Sequence, residues 1–60
     1  MRAAPLKVAE WMERQATRNE SRATSERFES LKAAYLADAK NYRAMAKDIR
    51  TALAELEVAE

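Results

Sequence analysis

The stretch Gln15–Phe28, QATRNESRATSERF, decides the fold. It lies between two segments with helical apolar spacing and contains neither Gly nor Pro. Three readings compete for it: the bend of a hairpin, the middle of one long helix, or a basic surface for an anionic partner. The first two are separated by asking whether one apolar face runs through the stretch.

Downstream of it, Phe28, Tyr35, Tyr42, Ile49 and Leu56 recur at every seventh position. A strict heptad of this kind marks a helix that packs along its length in left-handed, coiled-coil-like fashion. The companion seam position holds Leu31, Asp38, Met45 and Ala52, and the next flank holds Lys32, Ala39, Ala46 and Leu53. Carried backward, the register puts Ser21, Arg14 and Lys7 on the Phe28 line, and Thr24, Thr17 and Glu10 on the Leu31 line. The apolar seam ends there, so one unbroken helix has no consistent face to bury.

The stretch also carries end signals. Ser21, Thr24 and Ser25 are competent N-caps, because their hydroxyls satisfy the free N–H groups of a first turn. Glu26 and Glu29 then put negative charge where the helix dipole favours it. Asn19 is the residue best suited to a left-handed C-cap. The sequence therefore predicts a single all-α domain over residues 1–60: helix one at about 5–20, a bend at about 19–25 and helix two at about 25–58. The alternative is a single kinked helix, since the stretch holds no strong breaker.

Upstream, Pro5 suits a first helical turn, where its missing N–H costs nothing. Val8, Trp11, Met12 and Ala16 follow the spacing of one buried stripe. Folded back as a hairpin, the shorter helix covers only the first half of the longer one. A bend near Ala23 pairs residues whose numbers sum to about 47, setting Trp11 against Leu36 and Pro5 against Tyr42. Trp11, Phe28, Tyr35 and Tyr42 then form one aromatic cluster with the role of core. Past Tyr42 no first helix remains, and Met45, Ile49, Ala52, Leu53 and Leu56 form an uncovered row. Such a row marks an interface, and the expectation is a homodimer through the overhanging ends of helix two, giving a helical bundle. The competing occupant is a different protein partner. Asp38, within the seam, is either a solvated edge or a polar residue that fixes register.

The composition agrees with this architecture and narrows the function. Zero Gly, one Pro and an abundance of Ala, Glu, Arg and Lys favour helices over strands. A chain of 60 residues buries little surface, and with no Cys and no His, association is the remaining route to stability. Lys and Arg number 11 against 10 acids, so a net charge of +1 gives no whole-chain attraction to nucleic acid or membrane. Two local stripes are basic: Arg14, Arg18 and Arg22 on helix one, and Lys40, Arg43, Lys47 and Arg50 on helix two. The first is interleaved with Glu10, Glu13, Glu20, Glu26 and Glu29, with Glu10–Arg14 and Arg22–Glu26 spaced for intrahelical pairs. The second is purer and is the candidate nucleic-acid contact. The acidic end, Glu55, Glu57 and Glu60, opposes the dipole at a helix C-terminus and predicts a frayed last turn.

Catalysis finds no footing: no His, no Cys, no Gly-rich phosphate loop, and hydroxyl residues already accounted for as caps. No catalytic, cofactor-binding or metal-ligating residues are assigned, and no cofactor or small-molecule substrate is expected. Lys7 and Glu10 interrupt the N-terminal run before it reaches a signal-peptide core. Nothing approaches the roughly 20 apolar residues of a membrane span, so a soluble, cytoplasmic protein is expected. The idiom of the chain, from MRAAPLKVAEWMERQ to TALAELEVAE, resembles the short helical accessory proteins of bacteriophages and plasmids. That resemblance implies a regulatory protein that binds host or viral proteins, and some small hairpin dimers of the group bind RNA. The leading functional expectation is thus a non-enzymatic, self-associating interaction module. The alternative is a nucleic-acid-binding regulator using the helix-two stripe, and a membrane-surface helix is a weaker third.

Overall fold

The computed structural model describes residues 3–59 and shows an all-α helical hairpin. Helix α1 runs Ala3–Ser25 and α2 runs Glu29–Ala59. The two pack side by side along an elongated body of 49 × 14 × 11 Å. Glu60, part of the expected acidic end, lies outside the described residues. Glu55 and Glu57 are helical, so the last turn of α2 extends past the expected fraying point.

The bend is later and tighter than the sequence suggests. The predicted bend at about 19–25 and helix one at about 5–20 are corrected to a three-residue turn, Glu26–Phe28, that follows a longer α1. The reason lies in where the hydroxyls go. Thr17, Thr24 and Ser25 donate to the carbonyls of Glu13, Glu20 and Ser21, four residues back within α1. Back-bonding of this type satisfies a hydroxyl without ending the helix. Asn19 stays helical too, and no described residue has a positive φ, so the turn uses no left-handed cap.

Glu26 makes the turn instead. Its backbone N–H donates to the Ala23 carbonyl at 3.3 Å, tightening the end of α1. Its carboxylate Oε1 accepts the N–H groups of Arg27 at 2.9 Å and Phe28 at 3.1 Å. The first α2 bond follows at once, Lys32 N–H to Phe28 carbonyl at 2.9 Å. Helix two therefore begins at Glu29, with the carboxylate of Glu29 in its first turn.

The seam is made of alanine. Among the described residues, Ala9, Ala16 and Ala23 of α1 and Ala39 and Ala46 of α2 are the buried apolar ones, each series spaced by seven, and no larger side chain is fully buried. Lys32 and Leu53 continue the α2 line and are half-buried. The companion line to Tyr35, Tyr42 and Ile49 is thus Lys32, Ala39, Ala46 and Leu53. The expected one, Leu31, Asp38, Met45 and Ala52, is exposed along its length. A methyl side chain lets two helices approach to the short end of the usual 8–10 Å separation, and larger residues are pushed to the flanks. Asp38 consequently interrupts no seam within the hairpin.

A turn centred on Arg27 also shifts the pairing, since opposed residues then sum to about 54 rather than 47. Trp11 meets Tyr42, not Leu36, with ring centroids 5.8 Å apart at 89°, an edge-to-face contact. Phe28, by contrast, is 66% exposed and stands outside this contact.

Candidate functional site

Two helices in one layer leave two broad faces, and the seven-residue register assigns residues to each. On one face, Glu13 and Glu20 of α1 flank the alanine seam, and Arg43 and Arg50 flank it from α2. Arg43 holds Glu20 through two bonds, Nη2 to Oε1 at 2.6 Å and Nε to Oε2 at 3.1 Å. Arg50 holds Glu13 in the same way, at 2.7 and 2.9 Å. Side chains lean toward the N-terminus of their own helix. In an antiparallel pair, Glu20 and Arg43 therefore lean toward each other and close a gap that their Cα levels leave open.

These fork-to-fork bonds set the local electrostatics. The hydrogen bond from Arg50 holds the Glu13 carboxyl below its ordinary value, and Arg43 does the same to Glu20. The same bonds raise both guanidinium groups. The expected intrahelical pairs Glu10–Arg14 and Arg22–Glu26 do not appear among the ion pairs of the described residues, which run between the helices. The signal was present in the sequence as two matching heptads, Glu13/Glu20 and Arg43/Arg50, but it needed the pairing register to be read.

Of the four candidate nucleic-acid contacts, Lys40 and Lys47 are exposed on this face and take no part in an ion pair among the described residues. Arg43 and Arg50 are neutralised in pairs. A shallow concavity lies beside them, lined by Glu13, Arg43, Lys47, Arg50, Thr51 and Ala54. It is open to solvent, as is a second concavity along Arg18, Arg22, Glu26 and Tyr35. Among the described residues no group of three or more His, Cys, Asp or Glu is placed to hold a metal ion.

The opposite face is mainly apolar, with Arg18, Arg22 and Glu26 beside Tyr35 at its turn end. It carries the half-buried Met12, Tyr35, Tyr42 and Ile49 next to the seam. Outside them stand Val8, Trp11, Phe28, Leu31, Met45 and Leu56, each between 42% and 66% exposed. Six of the nine large exposed apolar side chains thus share one face, where neighbouring apolar residues make a patch that a docking partner could cover. Leu6 and Leu36 lie on the charged face and Val58 in the last turn of α2.

The expected interface residues are divided by this geometry. Met45, Ala52 and Leu56 are exposed, while Ile49 and Leu53 are half-buried. The longer α1 reaches past Tyr42, as the burial of Ala46 and the Glu13–Arg50 pair show. The overhang therefore shrinks to about two turns, residues 52–59, and the uncovered apolar surface runs along the hairpin's side. Sequence reasoning placed Val8 and Trp11 in the core stripe; here they line that exposed face.

Comparison with protein-family models, curated proteins and solved structures finds no match. Among the described residues no helix is long and apolar enough to cross a membrane. The class is set by the fold alone: a two-helix hairpin with one face closed by two ion pairs and the other mainly apolar.

Proposed function

We propose that the protein is a non-enzymatic protein-interaction module, a small accessory or regulatory chain of the bacteriophage or plasmid type acting in the cytoplasm. It works by docking another protein surface onto the apolar face of the hairpin. One observation carries the reading: both inter-helix ion pairs, with Lys40 and Lys47, lie on one face of the layer, and most of the large exposed apolar side chains lie on the other. Shallow open concavities suit surface docking better than chemistry, which needs a dry cleft. The nucleic-acid reading is weakened, because Glu13 and Glu20 occupy two of the four cations it requires.

The test is site-specific photo-crosslinking. A benzophenone amino acid placed at Met45 on the apolar face should give protein adducts in cells of the native host, and the same group at Lys40 on the charged face should not. Adducts at Lys40 with none at Met45 would sink the proposal.

A further inference from the structure

We infer that the occupant of the apolar face is a second copy of this chain, so that two hairpins stack face to face into a four-helix bundle. The inference rests on the reading of that face as a docking surface and adds who docks.

Area argues for it first. A folded monomer of 6.8 kDa is expected to expose about 3,950 Å². The hairpin exposes 4741 Å². The excess, about 800 Å², includes the extra surface of a 49 × 14 × 11 Å rod and is of the order that each partner contributes to an interface of standard size.

Stability argues the same way. Among the described residues the core of the hairpin is five alanines, with no larger side chain fully buried. A chain of this size needs a staple, and the sequence offers neither Cys for a disulfide nor His for a metal. Stacking two apolar faces turns the row of Trp11, Tyr42, Met45 and Leu31 into the interior that one hairpin lacks. It also gives Leu53 and Leu56, past the end of α1, an apolar partner.

Charge then selects the face. Apposing two charged faces would bring Lys40 and Lys47 of both copies together, a like-charge contact that disfavours that pairing. On the apolar face the cations are Arg18 and Arg22, which lie with Glu26 beside Tyr35 at the turn end and leave Met12, Tyr42, Met45 and Ile49 as a patch that a two-fold interface can set against its own copy.

The test is sedimentation equilibrium of the full chain at micromolar concentration, with helical content followed by circular dichroism. The native chain should have twice the 6.8 kDa mass. The double substitution Leu31→Glu with Met45→Glu should raise the dissociation constant roughly a hundredfold or more, because it buries unpaired charge. Leu36→Glu, at similar exposure on the charged face, should leave the dimer intact. If the double variant unfolds, the Met45 photo-adduct decides, and it should have twice the chain mass. A native monomer, or a Met45 adduct only with a different protein, overturns the second copy as occupant and leaves the docking face standing. A dimer broken by Leu36→Glu and untouched by the double variant overturns both.

Discussion

Replacing Ala16 by Leu tests the alanine seam directly. Ala16 is 0% exposed, and the register set by the turn puts it level with Ala39, 1% exposed. The substitution adds three carbons where the two backbones are held apart by little more than methyl groups. The helices must then separate or the new side chain must leave its preferred rotamer, at about 1–3 kcal/mol for overpacking. For a domain of 60 to 100 residues each kcal/mol moves the thermal midpoint by about 4–8 °C, so the drop should fall at roughly 5–20 °C. Ala44→Leu, on the exposed outer side of α2, is the control and should stay within about 0.5 kcal/mol of native. Both are read by circular dichroism melting at one fixed concentration, since association makes the midpoint concentration-dependent. Equal midpoints for the two variants, or a rise for Ala16→Leu, would refute the close-packed seam.

Other consequences follow from the flanks and the turn. Glu13 and Glu20 have carboxyl groups held below the ordinary value of 4.5 by their arginines, so each is charged in the fold at a pH where it would be protonated in the unfolded chain. Their contribution is complete above that value and is lost as pH falls through the lower, folded value. Denaturant midpoints should accordingly be level from neutral pH to about 5 and fall below 4.5, and Glu13→Gln with Glu20→Gln should flatten that fall; an unchanged acid limb in the double variant contradicts the pairing. Glu26→Ala removes the acceptor for two turn N–H groups and should cost about 0.5–1.5 kcal/mol by urea titration. A neutral result would mean that water replaces the carboxylate without loss. Releasing Arg43 and Arg50 by the same Glu13→Gln, Glu20→Gln pair should strengthen low-salt binding to a duplex RNA and steepen its salt dependence. If the native chain already binds as steeply, the ion pairs do not mask the basic stripe.

The hairpin and its helical class were legible in the sequence. The heptad from Phe28 to Leu56, the lack of Gly and the failure of that heptad to continue backward through Ser21 and Arg14 are local facts, and they specify helices and suggest a bend. The same residues did not reveal where the bend falls. Ser and Thr can either cap a new helix or bond back four residues within an old one, and the choice at Thr17, Thr24 and Ser25 was settled by the continued packing of α1 down to the burial of Ala23. Moving the turn to Glu26–Phe28 changed every cross-helix pair.

Hydrophobicity alone also misdirected the choice of seam. Leu31 and Met45 are far more apolar than Ala39 and Ala46, yet the small residues take the centre because close helix approach gains contact along the whole backbone. That preference belongs to two helices together and is invisible in either one. The sequence by itself determined that the chain would be helical, that it would turn once, and that it would carry more apolar surface than one short helix could cover. Only the tertiary structure decided that alanine would form the seam, that Glu13 and Glu20 would close one face with Arg50 and Arg43, and that most of the large apolar side chains would lie on the other. Those outcomes depend on register between distant segments, which three turn residues fix and no local pattern encodes.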